Sequence, residues 1–242
     1  MDVIGVIPAR YGSSRFEGKV LADIHGKPMI QWVWEAAKKA KILDEIIIAC
    51  DDERIEEAVK SFGARALLTS KEHASGTDRI CEIVNPLDVR VIVNLQADEP
   101  LLDPVMIENV ARPLLDNNSL NMATLMKKID EPKEITDPNV VKVLTDKNGL
   151  ALYFTRATIP YQRDKSFSAT YYKHIGIYAY TKDFLFIFKN LPESGLEKIE
   201  KLEQLRVLEA GFRIKVIETK ILTIGVDTPE DLEKVKEAIA KR

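Results

Sequence analysis

The sequence predicts an α/β protein built on a mostly parallel sheet with an antiparallel section. Three observations predict it. Short apolar runs at residues 3–7, 46–50 and 91–95 lack polar alternation, which is how strands covered on both faces read, and 64–68 is a weaker third strand between the second and the last. Segments with apolar residues at helical spacing lie between them, and this alternation argues for parallel strands joined by helical crossovers. Beyond residue 121 the alternation gives way to strands around Asp146-Lys147-Asn148-Gly149, whose Asn-Gly pair is a hairpin signal.

Val3-Ile4-Gly5-Val6-Ile7 is the first strand, and Pro8-Ala9-Arg10-Tyr11-Gly12-Ser13-Ser14-Arg15-Phe16-Glu17-Gly18-Lys19 follows it. Gly12 and Gly18 permit a tight turn and close backbone approach to a ligand, while Arg10, Arg15 and Lys19 supply the positive charge that a triphosphate needs. The loop therefore reads as a phosphate cradle, with a solvated surface loop as the alternative. It is not a Walker A loop, because five residues separate Gly12 from Gly18 and Val20 follows Lys19. The glycine spacing also excludes a dinucleotide fingerprint.

Ile24-His25-Gly26-Lys27-Pro28 makes a turn, and Ile30, Val33, Trp34 and Ala37 then recur at helical spacing. Asp51 and Asp52 can cap the next helix, which carries Ile55, Ala58, Val59 and Phe62 and stops at Gly63. His73-Ala74-Ser75-Gly76-Thr77-Asp78-Arg79 opens a further helix and is either its plain cap or a second loop that binds an anion or a base. The strand at 91–95 ends in Gln96-Ala97-Asp98-Glu99-Pro100. Ligands gather beyond the carboxyl ends of strands in such sheets, so Asp98 is a candidate metal ligand. Asp103-Pro104 already starts the following helix, which leaves Asp98 free of capping duty.

Strands are expected at 140–144, 150–154, 171–180 and 213–217. In the third, Tyr172, His174, Gly176, Tyr178 and Tyr180 share one face, and a core or interface histidine is the default for His174. Leu196, Ile199, Leu202, Leu205 and Leu208 predict a core-facing helix stripe beside Glu203, Gln204 and Arg206. Thr228 and Asp231 form a capping-box pattern with Pro229 in the first turn, so that Asp227 is available for another task.

With 45% hydrophobic and 30% charged residues, 242 residues suffice for one folded domain. The net charge of −3 gives no general attraction to nucleic acid or anionic membranes, so anion binding must rest on local cations. No apolar stretch approaches the ~20 residues needed to span a bilayer, and Met1-Asp2 runs straight into the first strand without a leader, which predicts a cytoplasmic protein. Cys50 and Cys81 have no metal or redox spacing and read as buried free thiols.

A basic Gly-rich loop with two separated acids fits nucleotidyl transfer, in which Mg²⁺ takes one or two protein carboxylates and the remaining oxygens from water and phosphates. The residues then add a family resemblance. Ile7-Pro8-Ala9-Arg10-Tyr11, Gly18-Lys19, His25-Gly26-Lys27-Pro28, Ser75-Gly76-Thr77, Asn94-Leu95-Gln96-Ala97-Asp98-Glu99-Pro100, Phe154-Thr155-Arg156-Ala157-Thr158-Ile159-Pro160, His174-Ile175-Gly176-Ile177-Tyr178, Leu202-Glu203-Gln204-Leu205-Arg206 and Gly225-Val226-Asp227-Thr228-Pro229 resemble the 3-deoxy-manno-octulosonate cytidylyltransferases, nearly end to end and in order.

The resemblance implies a Rossmann-like nucleotidyltransferase sheet with an antiparallel sugar-binding and dimerisation region inserted at approximately 125–190. It implies CTP and 3-deoxy-manno-octulosonate (Kdo) as substrates, Mg²⁺ as cofactor and a homodimer. Carried onto this chain, Pro8, Ala9, Arg10, Gly12, Ser13, Arg15 and Lys19, with Ser75, Gly76 and Thr77, hold the nucleotide. Arg10, Lys19, Asp98 and Asp227 are catalytic, with Asp98 and Asp227 binding the metal. Gln96, Arg156, His174, Tyr178, Glu203 and Gln204 line the sugar site. Ala97 stands where Gly is expected in relatives, and Tyr161 where Trp is common. A related transferase for 8-amino Kdo or a sialic acid is the neighbouring alternative, and a non-catalytic nucleotide-binding regulator is one from a different class.

Overall fold

The computed structural model describes residues 1–12, 16–73, 75–166, 168–221 and 223–241. Strand β1 (Val3–Ala9) lies at the centre, with six of its seven residues buried. It pairs in parallel with β4 (Glu45–Cys50) on one side and β6 (Val91–Asn94) on the other, and β5 (Arg65–Leu68) extends the sheet beyond β4. Being covered on both faces explains why β1, β4 and β6 read as apolar runs, whereas β5, at the sheet edge with Arg65 and Leu68 exposed, carries a weaker signal. A small hairpin of β2 (Asp23–Ile24) and β3 (Lys27–Pro28) stands apart from the sheet.

Three helices cover one face: α1 (Met29–Ala37), α2 (Glu53–Ser61) and α4 (Pro104–Asp116). They pack Val33, Ile55, Val59, Met106 and Val110 against Val3, Ile7 and Val93. The other face is covered by α3 (Gly76–Val84), which brings Ile80 and Val84 to Ile4, Val6 and Ile92. The starts of α2, α3 and α4 follow the predicted caps: Asp52 accepts from the Arg54 N–H, Ser75 from that of Asp78 and Asp103 from that of Val105.

Past β6 the sheet continues through β10 (Tyr172–Thr181), β7 (Met122–Lys128) and β11 (Lys215–Glu218), giving the order β11-β7-β10-β6-β1-β4-β5. Only β10 runs against its neighbours in this path, since it pairs antiparallel with both β6 and β7 whereas β11 is parallel to β7. The hairpin of β8 (Lys142–Thr145) and β9 (Ala151–Thr155) branches from β10. Its turn is the predicted one: Gly149 sits at φ +71°, and the Asp146 carboxylate accepts from the N–H groups of Asn148 and Leu150, both at 2.8 Å. A short helix α5 (Pro132–Thr136) precedes β8, and α6 (Lys182–Asn190) follows β10 and packs Phe184, Leu185 and Phe188 beside α3.

The stripe from Leu196 to Leu208 is a correction. It forms two short helices, α7 (Gly195–Glu200) and α8 (Leu205–Glu209), because Lys201 adopts a left-handed backbone at φ +54° and ends the first. Ile199 is consequently 81% exposed, whereas Leu202 and Leu205 are buried. The break places Glu203 and Gln204 in the connection between the helices. The last helix, α9 (Pro229–Ala240), starts on the predicted capping box of Thr228 and Asp231 and docks Leu232 and Val235 with Val226, Ile24 and Met29.

Both cysteines are buried, and burial pushes each thiol up to about 11, so they are neutral core residues as expected. Among the described residues no helix is long and apolar enough to cross a membrane. Lys142 is the polar exception in the core. Its ammonium is wholly buried and donates to the carbonyl oxygens of Asp137, Val140 and Arg156 at 2.8, 2.6 and 2.7 Å. Lys142→Met keeps the aliphatic stem but strands three acceptors, and should lower stability by about 2 kcal/mol in urea unfolding. An unchanged midpoint would show that this clamp carries no stability.

Candidate active site

The carboxyl ends of β5, β4, β1 and β6 face the same way, and the strand order reverses between β1 and β6. Loops diverge at such a reversal and leave a crevice, where ligands of open α/β sheets bind. A cleft of about 300 Å³ lies there. Pro8, Arg10 and Lys19 come to it from the end of β1, Ser75, Gly76 and Arg79 from the start of α3, and Gln96 and Asp98 from the end of β6.

The basic loop is closed by the Gly18 N–H, which donates to the Tyr11 carbonyl at 2.9 Å. Gly18 has φ +65°, and a Cβ there would meet the Tyr11 ring at 3.1 Å, so glycine is required twice over. Gly12 has neither constraint, since it lies outside the left-handed region with nothing near a Cβ position. Ala9 is buried in the core. Ser13 and Arg15 lie outside the described residues. The loop is held to β4 by Asp51, whose carboxylate accepts from the Tyr11 N–H at 3.0 Å and from the Arg79 guanidinium at 3.2 Å.

Lys19 joins the two predicted metal acids. Its ammonium donates to Asp98 Oδ2 at 2.5 Å, to Asp227 Oδ1 at 3.2 Å and to the Val226 carbonyl at 3.0 Å. The Val226 N–H donates to the Asp98 carbonyl at 2.9 Å, so the segment before α9 is pinned to the end of β6. Asp98 caps no helix, as its spacing from Asp103 predicted. Beside it, burial and the Asp98 charge push the Glu99 carboxyl up to about 8, which leaves Glu99 neutral near pH 7.

The sugar-side candidates gather along β10 and the α7–α8 connection. The Gln96 amide donates to the Gly176 carbonyl at 3.0 Å, and the Thr77 hydroxyl to Glu203 Oε2 at 2.9 Å. Thr77, Ser75, Glu203 and Arg206 line a second cleft of about 580 Å³ that shares Ser75 with the first. Burial raises the Glu203 carboxyl above its ordinary value. The His174 ring lies between Phe154 and Tyr178, with ring centroids at 5.1 and 5.3 Å, and burial pushes its imidazole down to about 3. The buried amide nitrogen of Gln204 has no partner among the described residues. Arg156 lines neither cleft, because its guanidinium donates to the carbonyls of Glu200 and Pro138 at 2.7 and 2.9 Å.

Arg79 closes the stretch that the sequence offers as a second ligand loop, although the sequence does not single it out as a site residue. It stands four positions after Ser75, so one helical turn returns its 4%-exposed guanidinium to the cleft, and that spacing was the available signal. Ala97 packs in the core cluster and also lines the first cleft beside Asp98, while Tyr161 is exposed.

Residues 4–220 match the cytidylyltransferase family, the class that this sheet and cleft fit. The 3-deoxy-manno-octulosonate cytidylyltransferase of Solibacter usitatus is 52% identical over 96% of this chain and 92% of its own length. That of Geotalea uraniireducens is 51% identical over the full length of both. A solved structure of CMP:2-keto-3-deoxy-manno-octonic acid synthetase complexed with CTP superposes with a TM-score of 0.95 at 45% identity, covering 100% of this chain and 99% of that one. The chain belongs to the 3-deoxy-manno-octulosonate cytidylyltransferase family.

The depressed His174 pKa has a stability consequence. An unfolded chain protonates this histidine as pH falls through about 6.5, whereas the folded chain does so only near 3. Stability present above that window is therefore lost as pH falls through it. His174→Gln should flatten this acid limb in urea titrations above and below pH 6.5. An equally steep limb in the variant would contradict the burial of a neutral ring.

Proposed function

We propose that this chain transfers CMP from CTP to the anomeric hydroxyl of 3-deoxy-D-manno-octulosonate, releasing pyrophosphate and supplying CMP-Kdo for lipopolysaccharide assembly. The observation that carries the reading is the meeting of Lys19, Asp98 and Asp227 at the strand reversal, in a chain full-length similar to transferases of that name. The oxygen of the anomeric hydroxyl forms a bond to the α-phosphorus while the bond from that phosphorus to the pyrophosphate oxygen breaks. The hydroxyl proton passes to the medium. No protein nucleophile is needed.

The donor set fits Mg²⁺. Two carboxylates already converge on one cationic group, within the one or two that this ion usually takes from protein. Among the described residues there is no cluster of three or more His, Cys, Asp or Glu that would favour a softer or more demanding metal. When bound, Mg²⁺ supplies phosphate orientation and charge neutralisation. Arg10 and Lys19 lie where they oppose charge growing on the pyrophosphate. Pro8, Ser75 and Gly76 face the nucleoside from the cleft wall, and Gln96, His174, Tyr178, Glu203 and Gln204 bind the sugar.

The chain works in the cytoplasm as a homodimer through its antiparallel segment. Leu152 on β9, 60% exposed, and the exposed Tyr161 support an apolar interface there.

The test is pyrophosphate release from CTP with Mg²⁺ or with EDTA, offering Kdo, 8-amino Kdo and a sialic acid separately. Metal-dependent release with Kdo is expected. Release with only another sugar would keep the reaction and move the specificity, and silence with all three would overturn the proposal.

A further inference from the structure

Thr124 lies on β7, fully buried, opposite the point where β10 loses regular register between Ile175 and Tyr178. Its hydroxyl oxygen is 2.8 Å from the Ile177 carbonyl oxygen, 3.1 Å from that of Ile175 and 2.9 Å from Nε2 of His174. A hydroxyl has one proton to donate and two lone pairs with which to accept. Both carbonyls can only accept, so the hydroxyl proton points at them. The third contact is then a hydrogen bond only if Nε2 carries hydrogen and donates to the Thr124 oxygen. The opposite arrangement, with the hydroxyl donating to a bare Nε2, would leave two carbonyl oxygens facing the hydroxyl oxygen with no hydrogen between.

A neutral imidazole has one donor nitrogen and one acceptor. With Nε2 protonated, Nδ1 is the acceptor, and it has no hydrogen-bond partner among the described residues. The Phe154 and Tyr178 rings on either side hold the imidazole in place, and its burial keeps it uncharged.

We propose that Thr124 is a positioning residue that fixes His174 as the Nε2–H tautomer, so that Nδ1 offers a lone pair to a hydroxyl of the acceptor sugar. This rests on the reading of β10 as the sugar wall. At this position His174 selects a hydrogen-bond donor and rejects a carboxylate, which would set two lone pairs against each other. Thr124 itself touches no substrate. A sequence reading passes over it because a threonine in a buried strand needs no explanation beyond β propensity.

The test combines ring ¹⁵N NMR with steady-state kinetics. The chain has three histidines, so the His174 signals are assigned by their loss in His174→Gln. In the wild-type protein Nε2 should appear protonated and Nδ1 bare; the reverse pattern would overturn the proposal. Thr124→Val keeps the branched shape and removes the hydroxyl. It should lose the single-tautomer pattern and raise KM for the sugar about tenfold, the order expected for one hydrogen bond, with KM for CTP unchanged. Thr124→Ser should restore both. A retained tautomer in Thr124→Val would overturn the role of Thr124. A lost tautomer with unchanged sugar KM would overturn the sugar-wall reading instead.

Discussion

Two carboxylates brought together at the end of a sheet repel each other unless a cation lies between them, and Lys19 is that cation for Asp98 and Asp227. The contact joins residues 79 and 208 positions apart in the chain. It demands that the basic loop after β1, the end of β6 and the segment before α9 arrive at one point. Gly18 turns the first, the Val226 N–H bonded to the Asp98 carbonyl fixes the third against the second, and the Leu232–Val235 face of α9 anchors the assembly in a small apolar cluster. Asp227 is half exposed, and ion pairs of that kind contribute little to stability. The value of the arrangement is therefore positional: it presents converging charge at the strand reversal.

The second wall follows from one strand running against the others. Because β10 is antiparallel to β6 and β7, its residues pass the end of the β1–β6 cleft in the reverse sense. Gln96 reaches across to the Gly176 carbonyl there. The register shift at Gly176 exposes two carbonyls that a regular ladder would have used, and Thr124 fills that gap. A ladder of rings, His174, Tyr178, Tyr180 and Phe188, then runs away from the cleft with centroid spacings of 5.3, 5.8 and 5.9 Å, which stiffens the wall by packing.

Most of the parallel half of the fold was legible in the sequence, because strands buried on both faces leave uninterrupted apolar runs and the capping residues at Asp52, Ser75, Asp103 and Thr228 mark helix starts locally. Lys19, Asp98 and Asp227 were legible as candidates through loop chemistry and through neighbours that relieved the acids of capping. What the local sequence did not carry was long-range. The break at Lys201 depends on a backbone state that an ordinary residue adopts only in context, so Leu196 to Leu208 read as one helix. Lys142 looks like a solvent-facing strand residue until three carbonyls converge on it. The Arg156 guanidinium is engaged by the backbone carbonyls of Glu200 at the end of α7 and of Pro138, contacts that its local sequence does not announce.

Binding of Mn²⁺, a spectroscopically visible stand-in for Mg²⁺, measured by electron paramagnetic resonance in the presence of CTP, tests most directly whether these two acids hold the metal together. Asp98→Asn and Asp227→Asn are nearly isosteric and should each weaken Mn²⁺ binding at least about tenfold, as expected for a hard cation losing one of its few protein ligands. Wild-type affinity in both variants would contradict the shared site at the strand reversal.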